Sequence, residues 1–431
     1  MTALDCFQFF IDKQKALKGT EPFDRLQVLP WEFLIYVVDH KTPLDEREWS
    51  IKNYLNKRPM IGKIYEEIVY DNVMLQTQSK TCKLNDKLYT LESIRKNGGV
   101  CAMQADFAAR VSKNLIVPAS YVWGPSQDLG LHAWVMWVEV RSTTGGKINF
   151  TLESHGRYLG DNYYTGKLTD PQTGQEILDR DMERRLSAVA LDRTGKRQAE
   201  LGMKYYDEIC DYRKLDKKKK VLFLDRCLAL CHFNETAWTE LARQVKDGEL
   251  DTEARQLVLE HLETMMKTFA KYPDYTWKIA NDLIRIQANN IARNSFYERL
   301  TALYEKAGRP DLACEARLKW ADFVVEDQKW MAASKGLSTT ILKFPAEGRF
   351  IPKLVEKLAD VCTNYKEGPT DLGKQYLDLL KVIPPKRGND PSQYCIQMYE
   401  KAISFFKDQK KSDKTLKDLE MKLSALKGGK S

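Results

Sequence analysis

The chain has 431 residues, 43% of them hydrophobic, which is enough for a large core and, at roughly 150 residues per domain, for two or three domains. Its 68 basic and 60 acidic residues leave a net charge of +8, and this small excess comes without a concentrated basic stripe interleaved with aromatics. The composition excludes a disordered chain and gives no support to nucleic-acid binding.

In chain order, the first residues carry neither a basic leader nor a long apolar run, and no later segment reaches the ~18 uninterrupted apolar residues of a membrane helix. A complete chain of this kind is expected to be cytoplasmic and to have no membrane partner. Residues 1–97 read as a helical N-terminal part, with apolar positions such as Phe33, Val37, Ile51 and Leu55, that packs against the domain holding Cys101. From Cys101 a helix of about a dozen residues runs toward Pro118, and β-rich runs follow at 119–123, 131–140 and 147–154. The segment Ser142-Thr143-Thr144-Gly145-Gly146-Lys147 joins the last two as a hairpin. A helix followed by antiparallel strands predicts an α+β domain over residues 98–214. Within it, residues from Asp161 to about Arg185 read as a surface loop bordering the cleft.

Residues 215–431 have helical periodicity throughout. A solvated run, Lys217 to Lys220, opens the region, and punctuation recurs at Asn234, Pro273, Pro310, Pro345 and Pro385, in steps of 39, 37, 35 and 40 residues. Such steps suit stacked helix pairs, an α-solenoid of the tetratricopeptide-like sort, with an irregular helical bundle as the alternative. A lysine-rich amphipathic helix from Asp413 to Lys427 caps the array. The nine cysteines are scattered and odd in number, which is no disulfide framework. Cys227 and Cys231 lack a second ligand pair at zinc-site spacing and read as core residues. With no calcium loop, phosphate loop or dinucleotide fingerprint, no cofactor is expected.

The chemistry centres on Cys101, which follows the paired glycines Gly98 and Gly99 at the start of a helix. Unpaired N–H groups at a helix start favour a thiolate and can receive an oxyanion. A nucleophilic thiol also needs a base and a group that orients the base. His132, near the start of a strand, and Glu153, near the end of the next, fit those roles. Gln104, almost one helical turn after Cys101, is a candidate cleft contact, and Trp134 either packs under the histidine strand or lines a groove.

Three ordered blocks carry a resemblance: Leu91-Glu92-Ser93-Ile94 to Gly98-Gly99-Val100-Cys101, then Asn114 to Gly124, then His132-Ala133-Trp134-Val135. Over roughly residues 88–160 the chain resembles the transglutaminase-like superfamily, which has a papain-like core. The resemblance implies Cys101 as nucleophile, His132 as general base and later acid, and an orienting acid on the next strand. That acid is usually aspartate. Glu153 stands in this setting here, with His155 and Asp161 as the next candidates, and Ala102 replaces a glycine frequent after the family cysteine. The implied activity is cleavage of an amide or peptide bond through a thioester, on a protein or peptide substrate. The alternatives are amine transfer and a catalytically weak scaffold that binds protein partners through its helical repeats.

Overall fold

The structure is a computed structural model that describes residues 2–127, 130–157, 164–387, 390–409 and 413–428. Asp161, one of the candidate orienting acids, lies outside the described residues. The protein is α+β and mostly helical. It divides into two compact units, one comprising Met1–Pro125, Leu131–Glu208 and Arg226–Glu235, the other comprising Ser126–Gly130, Ile209–Asp225 and Thr236–Ser431.

The first unit opens with helices α1 (Ala3–Gln14), α2 (Glu21–Asp24), α3 (Trp31–Val38), α4 (Leu44–Tyr54), α5 (Ile61–Glu66), α6 (Asn72–Gln76), α7 (Leu91–Asn97) and α8 (Cys101–Asn114). Strands β1 (Ala119–Pro125), β2 (Leu131–Thr144), β3 (Lys147–His155), β4 (Lys167–Thr169) and β5 (Glu176–Leu178) form one antiparallel sheet in the order β3-β2-β1-β4-β5. Helices α9 (Asp179–Leu191) and α10 (Arg193–Lys204) come next in the chain.

Side chains of a strand alternate between its two faces, and β2 is covered on both. Ala133 and Val135 join α8 residues Ala105, Phe107 and Ala108 and α5 residues Ile61, Ile64 and Tyr65 in one apolar cluster. Trp134, Met136, Val138 and Val140 join Phe33 and Tyr36 of α3 and Met182, Leu186 and Val189 of α9 in another. The helices before Gly98 therefore share both cores of the sheet.

The β2–β3 hairpin turns at Gly145 and Gly146, both at positive φ (61° and 77°), a two-residue turn whose twist matches that of the strands. The expected surface loop from Asp161 to Arg185 is corrected. It holds β4, β5 and the first turns of α9. The three-residue strands Lys167-Leu168-Thr169 and Glu176-Ile177-Leu178 are too short for an alternation signal, and their pairing to each other and to β1 supplies the order.

The second unit is helical apart from a two-stranded β6 (Lys386–Arg387) and β7 (Asp390–Pro391). Its helices are α11 (Tyr206–Tyr212), α12 (Lys217–Leu230) and α13 (Glu235–Lys246), which straddle the unit boundaries, then α14 (Thr252–Thr268), α15 (Pro273–Leu283), α16 (Asn290–Lys306) and α17 (Pro310–Glu326). These continue as α18 (Trp330–Lys343), α19 (Ile351–Cys362), α20 (Gly368–Val382), α21 (Gln393–Asp408) and α22 (Asp413–Leu426). Every recurrent punctuation position falls at a helix boundary. Pro273 and Pro310 open α15 and α17, where a missing N–H costs nothing.

Successive helices from α15 to α22 pack on each other, and α15 also meets α17, α17 meets α19 and α18 meets α20. A buried ionic chain ties two of these helix starts together. Arg309 donates to Asp274 at the start of α15 (Nη2–Oδ1 2.6 Å) and to Asp311 at the start of α17 (Nη2–Oδ2 2.7 Å), while Arg349 reaches Asp311 at 3.6 Å. No helix among the described residues is long and apolar enough to cross a membrane.

Candidate thiol site

Cys101 is the first residue of α8, after Val100 in extended conformation. Both glycines before it are sterically required. A Cβ on Gly98, at φ +80°, would stand 2.3 Å from the Val69 carbonyl oxygen, and one on Gly99 would meet the Met103 side chain at 2.3 Å. The close approach lets Gly99 donate to Val69 O (3.0 Å) and accept from Asp71 N (3.0 Å), which fixes the start of the helix. Along α8, Cys101 shares a face with Ala105, Ala108 and Ser112. Ala105 and Ala108 belong to the cluster beneath the sheet, and Cys101 packs half-buried against its edge.

The connection from α8 to β2 brings Cys101 and His132 to the same end of the sheet. The 14 residues of α8 and the 7 of β1 span about 21 and about 23 Å respectively, so β1, running back along α8, ends level with Cys101. β2 begins there, with His132 paired to Gly124. Tyr121 of β1 lies within the electrostatic reach of Cys101. Burial raises its phenol pKa, and the charges of Cys101 and Asp106 add to the rise.

His132 is buried, and its Nε2 lies 2.5 Å from the carbonyl oxygen of Gly156. A carbonyl only accepts, so Nε2 carries the proton and the lone pair of the neutral ring is on Nδ1. Gly156 has φ +83°, and a Cβ there would fall 2.5 Å from the Tyr65 ring. The Tyr65 hydroxyl in turn donates to the Ala133 carbonyl at 3.4 Å. Strand alternation starts the His132 ring on the side of Trp134, whose ring is 6.2 Å away and tilted by 32°, whereas α8 covers the Ala133 side. No hydrogen bond joins Cys101 to His132 among the described residues.

The other sequence candidates sit elsewhere. Glu153 pairs across the hairpin with Trp137, five residues beyond His132 or about 17 Å along β2, and on the opposite sheet face. Its carboxylate accepts from Arg141 (3.0 Å) and Thr151 (2.7 Å), so the orienting role expected of it is corrected. His155, opposite Val135, faces α5, where its Nε2 meets Glu66 at 3.0 Å and its ring stands edge-on to Tyr65. Gln104 is buried and donates to the Ile68 carbonyl at 2.8 Å, tying α8 to the segment after α5 rather than facing a cleft. Trp134 is fully buried, with the Arg157 guanidinium 5.2 Å from the centre of its ring.

Beside α8 a cleft of about 240 Å³ is bordered by Asp106, Arg110, Lys113, Tyr121, Trp123 and Thr169. Asp106 sits in it with its carboxyl pKa raised by burial, against the pull of Arg110. No motif in the sequence marked this cleft or Gly156. Of the nine cysteines, all with free thiols, only Cys82 and Cys101 are partly exposed. Burial pushes the thiols of Cys6, Cys227, Cys231, Cys314 and Cys362 upward. No protein-family model matches the chain, and neither does any curated protein.

Proposed function

We propose that the protein is a thiol-dependent amide hydrolase of the transglutaminase-like type, with a papain-like core and a tetratricopeptide-like helical array. The observation that carries this reading is that Cys101, at the start of α8, and His132, at the start of β2, lie at the same end of the sheet. In this reading the Cys101 thiol gives its proton to Nδ1 of His132, and the sulfur adds to the amide carbonyl carbon. The amine then leaves with that proton, and water hydrolyses the thioester to release the acid and restore the thiol. The Gly156 carbonyl takes the orienting place of a triad acid. It fixes the tautomer but, carrying no charge, stabilises an imidazolium less than a carboxylate does. The first-turn N–H groups of α8 would receive the oxyanion.

A second reading, a partner-binding scaffold without turnover, is favoured by the side of β2 on which the His132 ring starts and by the engagement of Glu153 with Arg141. Iodoacetamide separates the two, because Cys82 is a control of similar exposure that lies outside a helix start. The hydrolase reading expects Cys101 to be alkylated faster than Cys82 near neutral pH, and His132→Ala to slow Cys101 alone. Equal rates that ignore His132→Ala reject it in favour of the scaffold.

A further inference from the structure

Strand β3 is an outer strand of the five-stranded sheet, nine residues long and free of proline. Its inner neighbour carries the irregularity of the pair, between Val140 and Ser142, while β3 itself runs regularly from Lys147 to His155. The two-residue turn makes Thr144 and Lys147 the flanking pair that exchange both backbone hydrogen bonds. Alternation then directs the backbone N–H and C=O of Lys147, Asn149, Thr151 and Glu153 inward to β2. Those of Ile148, Phe150, Leu152 and Ser154 point outward. Among the described residues, no backbone hydrogen bond runs from this outer edge to another element. A long, regular, unpaired edge is a template for another strand, and folded proteins usually blunt it with proline, a bulge or inward charge.

We propose that β3 pairs antiparallel with β3 of a second copy of this chain, about a two-fold axis at Phe150, to make one continuous ten-stranded sheet. The sequence Lys147-Ile148-Asn149-Phe150-Thr151-Leu152-Glu153 is self-complementary about that point. Lys147 falls opposite Glu153 of the second copy, Ile148 opposite Leu152, Asn149 opposite Thr151, and Phe150 opposite itself. The Ile148–Leu152 contact and the Lys147–Glu153 ion pair each occur twice and the Phe150–Phe150 contact once, on the axis, and cross-strand pairs of these kinds are the unit of sheet stabilisation. The outward-pointing residues Ile148, Phe150 and Leu152 supply the reciprocal backbone bonds.

Neighbouring registers that keep the same residues outward do worse. Centred on Thr151, Lys147 meets His155 and Ile148 meets Ser154; centred on Asn149, Glu153 has no opposite residue within the strand. Ile148, Phe150 and Leu152 are each only partly buried in the single chain, so pairing removes further apolar surface from water. Lys147 and Glu153 are exposed enough to meet across the axis. The pairing is isologous, as a closed two-fold dimer requires.

Sedimentation velocity of the full chain from about 1 to about 100 µM is expected to show a concentration-dependent shift from monomer to dimer. Glu153→Lys and Lys147→Glu each place two like-charge pairs across the axis and are expected to raise the dissociation constant at least about tenfold. The double variant restores opposite charges and is expected to return it to within about threefold of the parent. Circular dichroism confirms that each variant is folded, and both positions are at the surface. A chain that stays monomeric over this range overturns the proposal. So does a dimer indifferent to both single reversals, or one that the double variant fails to restore.

Discussion

His132 directs Nε2 at the carbonyl oxygen of Gly156, 2.5 Å away, and Gly156 holds that oxygen in place from a backbone conformation that only glycine adopts easily. The contact depends on Tyr65, whose ring occupies the space of the missing Cβ. Gly156→Ala is therefore expected to destabilise the first unit by about 1–3 kcal/mol, through strain at φ +83° and displacement of Tyr65. Urea unfolding measures the loss. In the hydrolase reading the same substitution also slows alkylation of Cys101 under conditions where the protein remains folded, because the displaced carbonyl no longer selects the His132 tautomer. An unchanged urea midpoint would contradict the steric argument.

How much of this was legible in the sequence differs from residue to residue. The three long strands were readable because Val, Trp and Tyr recur through 119–140, Ile148, Phe150 and Leu152 alternate in the third, and paired glycines mark the turn. The helix start at Cys101 was readable because Gly98 and Gly99 break the chain before it. The partner of His132 was not, since a backbone carbonyl has no letter of its own and Gly156 looks like any turn glycine. Glu153 was misassigned for a related reason. Counted back from the Gly145-Gly146 turn, a regular register already sets Glu153 opposite Val138, six residues beyond His132; the irregularity between Val140 and Ser142 moves it to Trp137 and so to the opposite face, and leaves no mark in the residue types. The helix boundaries of the second unit were visible through their prolines, but the Arg309 link between Asp274 and Asp311 depends on two helix starts 37 residues apart meeting in space.

That link supports a second prediction. Arg309 is buried, and its two aspartate partners are largely buried with it, so removing the guanidinium leaves Asp274 to helix-start N–H groups and Asp311 to such groups and the more distant Arg349. Arg309→Ala is expected to cost about 3–5 kcal/mol in urea unfolding of the full chain. Asp274→Asn in the Arg309→Ala background should cost much less than it does alone, because the partner it serves is gone. Strict additivity of the two losses would show that the residues do not act as a pair.

Acid stability of the first unit is expected to depend on Glu235. Burial alone would raise its carboxyl pKa, but hydrogen bonding to Arg185 and the charges of Arg184 and Arg185 outweigh burial and hold it at about 2, below its ordinary 4.5. The folded state therefore binds fewer protons than the unfolded state between these values. The stabilisation is fully present above about pH 4.5 and is lost as pH falls toward about 2, with an upper bound of about 3 kcal/mol. Thermal unfolding between about pH 2 and pH 7 checks this. Glu235→Gln should lower stability near pH 7 and flatten the acid limb, and a variant with the parental acid limb would assign the loss to other carboxylates.

Glu347 in the second unit is expected to behave in the opposite sense. It is fully buried, with Arg349 Nε at 3.2 Å from Oε1. Burial is the largest influence on its carboxyl; Arg349 opposes it, the nearby charge of Asp311 adds to it, and the pKa stands at about 7 instead of 4.5. Between those values the folded state keeps a proton that the unfolded state has released. Stability therefore falls as pH rises through this window, and the cost is complete above about pH 7, where it reaches about 3 kcal/mol. Glu347→Gln keeps the shape of the neutral acid without the ionisation. It is expected to stabilise the chain in urea at about pH 8 and to have little effect near pH 4, where the parent is already protonated in both states. A gain of equal size at both pH values would mean that glutamine improves the packing or hydrogen bonding at this position, and that ionisation of Glu347 carries no cost in the folded protein.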